Sequence, residues 1–269
     1  MTVITPQGTP FAAKVVEYRQ SATLLVFLTL RDLRLRYRHT LLGILWAVVQ
    51  PLLPMLILTT VFSHTLRRET GAIPYPLFVF AGLAPWMFVA NAVNSASGSF
   101  INNHNLLNKV YFPRGILPAA AVLAFVVDWL VTTVVLIGLC AANGFGPRLS
   151  WLALPAVAAA GVFTAAIAGL GAASLAALFR DMKTVVPFLV QVWMYATPVF
   201  YPIDVLPRAI RPFIGFNPMT GIVETFRACL FHQPLNWTLI AQSAAAVLVL
   251  AVGVAVLFHA LEADLAEQV

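Results

Sequence analysis

Long apolar runs free of charge alternate with short polar stretches along the chain. The runs cover 41–61, 75–100, 116–140, 151–179, 184–201 and 237–258, and one acid, Asp128, interrupts the third. About 20 such residues, wound as a helix, cross a hydrocarbon core of about 30 Å. The pattern therefore predicts six transmembrane helices and an all-α polytopic membrane protein. Pro51 and Pro54 fall inside the first run, so a kink is expected there. The fifth run is short and ends in aromatics and prolines. Between it and the sixth, 202–236 is apolar but broken by Pro207, Pro212, Gly215, Pro218, Gly221 and Pro234. It reads as one or two short re-entrant helices on the outer side that dip into the interface without crossing.

A different periodicity precedes the first run. Over about 11–39, Arg31, Arg34 and Arg38 share one side of a helical wheel, and Leu30, Leu33 and Tyr37 lie on the adjoining side. This suits an amphipathic helix lying on the membrane surface. The fourth run carries Ala165, Gly169, Ala173 and Ala177 at fourfold spacing, which lets two helix backbones approach closely. Packing against another span of the same chain is the simpler expectation, and a subunit interface is the alternative. The expected organisation is a leader over 1–40, a six-span domain over 41–260 and a short tail over 261–269.

Lys and Arg in short loops orient the spans. With the N-terminus inside, ten of them face the cytoplasm and six face outward, which favours both termini inside. The first residues are polar (TPQGTP) and carry no signal-peptide pattern, so insertion is expected to rely on the internal spans.

Composition narrows the class further. Of the 269 residues, 61% are hydrophobic and 10% charged, and the mean hydropathy is +0.89. A soluble domain is nearer a quarter charged, so a disordered chain, a coiled coil and most soluble enzymes are excluded. The net charge of +6 sits mainly beside apolar runs, which points to anionic lipid headgroups rather than nucleic acid. The two cysteines, Cys140 and Cys229, form no metal motif; both fall near the outer side, and two unpaired, packed thiols are expected, with a single bond between them as the alternative.

Little in the chain suggests catalysis. There is no GxxxxGK[ST] phosphate loop, no HExxH and no GxSxG, and the apolar runs hold no paired carboxylates at helical spacing. No catalytic residue and no metal site are assigned. A membrane-embedded polyprenyl-phosphate transferase would need clustered acids for Mg²⁺, whereas the spans hold Asp128 alone. A charge there is costly unless it meets a partner or water. Asp128 is expected to line a pathway, to pair across a subunit interface, or to hydrogen-bond to Thr132 or Thr133. Trp86, Trp193, Tyr195, Phe200 and Tyr201 cluster at span ends or in the outer half. They read either as an interfacial aromatic belt or as a channel surface on which sugar rings stack.

Local strings then carry a resemblance. RDLRLRYR at 31–38 runs into TLLGILW at 40–46 and QP at 50–51. FAGLAPW follows at 80–86, NLLNKVYFPR at 105–114, FRD at 179–181 with VPF at 186–188, ATPVFYP at 196–202, and NPMT with ETFR at 217–227. In this order the strings resemble the permeases of polysaccharide-exporting ABC transporters, the ABC-2-type group that exports O-antigens and teichoic acids. The resemblance covers about 20–260.

It implies a homodimer of permeases in a bacterial inner membrane, paired with two copies of a separate ATPase chain. ATP and Mg²⁺ would bind in that partner, with no cofactor in this chain. The substrate would be a polyprenyl-pyrophosphate-linked glycan moved outward, with teichoic acid, capsule or a small amphiphile as alternatives. On this reading Arg31, Arg34, Arg36, Arg38, Leu42 and Gly43 dock the lipid head. Asn105, Lys109, Tyr111, Phe112, Arg114, Arg180 and Asp181 couple to the ATPase.

Overall fold

The computed structural model describes residues 21–38, 43–66, 73–107, 109, 112–179 and 181–262. These residues form helices joined by turns, with no strand among them. The first helix, α1 (Ala22–Tyr37), leads through a short 3₁₀ turn (Gly43–Leu45) into α2 (Trp46–Leu66). Gly43 has φ +51°, a left-handed conformation that glycine adopts without penalty, at the start of the 3₁₀ turn that opens the first span. Next come α3 (Tyr75–Ser97) and two single turns, α4 (Ser99–Asn102) and α5 (His104–Leu107). They are followed by α6 (Ile116–Leu123), α7 (Val126–Ala142), α8 (Leu154–Leu178) and α9 (Met182–Tyr195). The short α10 (Arg211–Ile214), then α11 (Pro218–Phe231) and α12 (Trp237–Glu262) complete the described fold.

The second apolar run becomes the central pillar. Most of α3 is buried, from Tyr75 through Ala96, and α2, α6, α7, α8, α9 and α11 all pack on it. Its small residues admit these neighbours closely. The same logic explains the small-residue stripe of α8. A Cβ on Gly169 would come within 2.8 Å of the Ala96 Cβ and 3.4 Å of Val122 Cγ2. The stripe therefore packs on α3 and α6 of its own chain. Gly169→Leu is expected to separate α8 from α3 and to lower the thermal midpoint of the purified chain by several degrees.

Three expectations change. The third run is not one helix: it breaks at Ala124–Phe125, although its two pieces together remain long enough to cross. The fifth is a helix of 14 residues, about 21 Å long, and so falls short of a bilayer core. Pro198 and Pro202 hold the rest of that run out of helical form. Among the described residues, five helical stretches are long and apolar enough to cross by themselves, against the six runs of the sequence. The leader is graded along its axis more than across it. Its first half is apolar on several sides, with Val26, Phe27 and Leu30 exposed and Leu28 buried, while its charges gather in the second half.

The outer segment has the broken form expected, but α11 is largely buried. It is held by two polar knots. The Asn217 side chain caps α11 by accepting from Met219 N at 3.0 Å and also accepts from Trp193 Nε1 at 2.8 Å. Ser243 Oγ on α12 donates to Gly215 O at 2.8 Å and accepts from Gly221 N at 2.9 Å. Cys140 and Cys229 are buried.

Candidate functional site

The break in the third run and the end of the leader meet. Arg36 Nη1 donates to Asp128 Oδ2 at 3.0 Å and to the Ala124 carbonyl at 3.2 Å, one of the carbonyls at the helix break. Its guanidinium lies 3.2 Å from the centroid of the Phe125 ring. The Tyr37 hydroxyl donates to Asp128 Oδ1. Burial first, then the hydrogen bond and the charge of Asp128, push the Tyr37 phenol up to about 12. It therefore stays a protonated donor throughout the physiological range. Asp128 lies in the first turn of α7, where the helix dipole favours an anion. Thr132 Oγ1 does contact this residue, but through the Asp128 backbone carbonyl at 2.9 Å, and it also donates to Ala47 O at 2.7 Å. Asp128 thus ties the leader to the third span, and Thr132 one turn on ties the third span to Ala47 of the first, all within one chain.

The four leader arginines divide into two pairs. Arg36 is held by Asp128. Arg31 bonds to Asp32 at 2.8 Å and to the Asn103 side chain at 2.8 Å, which ties the leader to the turns after α3. Arg34 and Arg38 are exposed. Gly43 makes the turn described above, and Leu42 lies outside the described residues.

The expected coupling residues separate as well. Asn105, Lys109 and Asp181 are exposed, while Tyr111 and Arg180 lie outside the described residues. Arg114 is half-buried, with its Nη1 buried and unpartnered. Phe112 is a core residue, 7% exposed, packed with Leu28, Phe100, Ile116 and Leu117. Its position seats the leader on α6. Phe112→Ala is expected to cost about 3–5 kcal/mol and to loosen that seat, which increased proteolysis after Arg34 would reveal.

The outer aromatics form two groups. Trp86 is buried, with its ring edge-on to Trp193 at 5.3 Å. It belongs to the core and floors a surface cavity rather than presenting a free face. Tyr195, Phe200 and Tyr201 form an edge-to-face chain, with centroids 6.1 and 5.3 Å apart, and Tyr195 is 57% exposed.

Two features escaped sequence reading. One is Arg227, 1% exposed. It donates to the carbonyls of Phe78 (3.2 Å), Pro198 (2.7 Å) and Val199, pairs with Glu224 at 2.6 Å, and lies over the Phe78 ring. Its only sequence signal is membership of the ETFR string, which reads as an outer positive charge. The other is a set of carboxamides, Gln50, Asn91 and Gln191, on three different helices around one cavity. Each was hidden as an uncharged polar residue within a predominantly apolar run.

The chain is a polytopic helical membrane protein whose leader helix is latched to a broken span. A family model described as ABC-2 type transporter matches residues 23–231, and the chain belongs to that family. The O-antigen export system permease protein RfbA of Klebsiella pneumoniae is 31% identical over 216 residues, 80% of this chain and 82% of the relative. The protein of the same name from Myxococcus xanthus is 31% identical over 225 residues, 82% of this chain and 85% of that one. The polysialic acid transport protein KpsM of Escherichia coli is 24% identical over 201 residues, 74% and 78% of the two chains. A member of this family is a transport subunit, and the resemblance seen in the sequence strings extends over four-fifths of the chain.

Proposed function

We propose that this chain is the membrane subunit of an ATP-driven exporter that moves a lipid-linked, O-antigen-like polysaccharide outward across a bacterial inner membrane. The observation that carries the proposal is the likeness to two O-antigen export permeases over four-fifths of both chains, closer than the likeness to the polysialic acid transporter. The working unit is a homodimer with two copies of an ATPase chain that holds ATP and Mg²⁺. This fits the absence of a phosphate loop from the sequence. Both termini are cytoplasmic, which requires an even number of crossings. The α9 helix, extended by the irregular 196–202, then completes a sixth.

Lipid-head docking falls to Arg34 and Arg38, the arginines left exposed by the internal pairing of Arg31 and Arg36. A pyrophosphate head at the leaflet surface meets two charge-assisted donors there. Asn105, Lys109, Arg114 and Asp181 belong to the cytoplasmic face that meets the ATPase. The chain, tagged and extracted from its own membranes in mild detergent, is expected to carry an equimolar partner with a phosphate loop and vanadate-sensitive hydrolysis. A lone chain without such a partner would end this reading. Reversing both Arg34 and Arg38 to Glu is expected to reduce export while leaving the complex assembled; unchanged export would remove the docking role.

A further inference from the structure

The carboxamides that sequence reading overlooked lie on one exposed groove. Asn91 Nδ2 donates to Gln50 Oε1 at 3.2 Å. These two, with Gln191, Trp86, Met87 and Met194, line a cavity of about 280 Å³ open to the surface of the chain. That volume is close to the lower limit for small-ligand sites. Gln50 and Gln191 are exposed. A second, smaller cavity beside Asp128 shares Gln50, Met87 and Asn91 with it. The polar line continues in both directions. One turn inward from Asn91 on the same helix face, Asn94 has a buried, unpartnered Oδ1. One turn outward from Gln191 on its face is Tyr195, which leads to Phe200 and Tyr201.

Helix α12 shows what a lipid-facing surface looks like in this chain. The most exposed positions of α12 include Leu248, Val249, Val252 and Val256, all aliphatic. Amides from three separate helices would be expensive in the same surroundings, because hydrocarbon offers them no partners. Their surroundings must supply both donors and acceptors. Among the described residues no ionised side chain lines this cavity, so the lining there does not select charge. Carboxamides both donate and accept, which matches the hydroxyl groups of a saccharide. Neutral hydrogen bonds of this kind are individually weak and easily exchanged.

We infer that Gln50, Asn91 and Gln191 are sugar-contacting residues. They would hold the hydroxyls of the moving glycan in the part of its path that precedes the outer aromatics. The inference rests on the export reading above and adds to it the residues and the chemistry of contact. Its test is photo-crosslinking in cells that make the surface glycan, with p-azidophenylalanine placed singly at positions 50, 191 and 249 of the full chain beside its natural partners. Irradiation is expected to give a periodate-stainable glycan adduct at 50 and 191 and none at the lipid-facing 249. Where surface glycan depends on the chain, the inference is overturned by acyl-lipid adducts at 50 and 191, by no glycan adduct at either, or by equal glycan labelling at 249. If surface glycan does not depend on the chain, the export reading itself fails. As an independent measure, Gln191→Leu is expected to slow export roughly tenfold, the scale of one lost hydrogen bond, with the ATPase partner still bound. Export at the unaltered rate in Gln191→Leu would also overturn the inference.

Discussion

Replacing Arg227 with Met will dismantle the outer end of the bundle. The guanidinium is buried and is the common donor for three backbone carbonyls, Phe78 on α3 and Pro198 and Val199 in the turn after α9. Its other partner is Glu224. Breaking a buried pair of this kind costs about 3–5 kcal/mol, because the groups left behind have no replacement partners. Lysine cannot substitute, since a single ammonium does not reproduce a planar fork spread over four acceptors. Gly82 is the complementary half of the arrangement. A Cβ there would lie 2.2 Å from Val199 O and 2.3 Å from Arg227 Nη2, so even Gly82→Ala must push the turn away. Both variants are expected to insert into the membrane but to melt at much lower temperature and to be degraded. Arg208→Met, at an exposed outer position, is the control and should leave the melting temperature unchanged. Equal stability of the Arg227 and Arg208 variants would show that the buried network contributes nothing.

Asp128→Ala is the second large effect, and it concerns movement as well as stability. Removing the carboxylate takes from Arg36 its charged partner and from the Tyr37 hydroxyl the acceptor Asp128 Oδ1, while Arg36 keeps the Ala124 carbonyl and the Phe125 ring. The pair keeps some exposure, 24% and 17% of its two side chains, so the loss belongs near the lower limit for buried pairs, about 3 kcal/mol. The leader is then released from the third span. Hydrogen exchange of the Ala22–Tyr37 amides is expected to rise. Exchanging the charges, Arg36→Asp with Asp128→Arg, is expected to recover part of the loss, and a double-mutant cycle measures the coupling. Strictly additive effects of the two single substitutions would mean that the pair does not hold the leader.

The legible and the hidden parts of this chain differ in the range of the interactions that set them. Apolar run length is a local property, and it placed the helices of spans one, two, four and six within a few residues. The broken outer segment was legible for the same reason, since its prolines and glycines act where they stand. The fourfold spacing of Ala165, Gly169, Ala173 and Ala177 showed a close helix contact but not its partner, because the spacing describes one surface only. The break at Ala124–Phe125 has no local signal: neither residue is a helix breaker, and the carbonyl freed there is taken by Arg36, 88 residues away in sequence. Asp128 stood out at once as a charge in an apolar run, yet its partners lay in a leader that read as a surface anchor. Arg227 was misleading in the opposite way. Charge counting treats an arginine near a span end as a solvent-facing anchor, and only the fold shows it enclosed. The carboxamides were missed because uncharged glutamines and asparagines in a span are unremarkable until the fold brings those of different helices together.

Deletion of the chain in its own cell, followed by measurement of where the lipid-linked glycan resides, tests the central claim most directly. Glycan accessible to an impermeant periodate-hydrazide label on intact cells is compared with total glycan after permeabilisation. The export account predicts that surface label disappears while polyprenyl-linked glycan accumulates inside, and that the unaltered chain restores both. Undiminished surface glycan in the deletion, or loss of the glycan in both compartments, would contradict it.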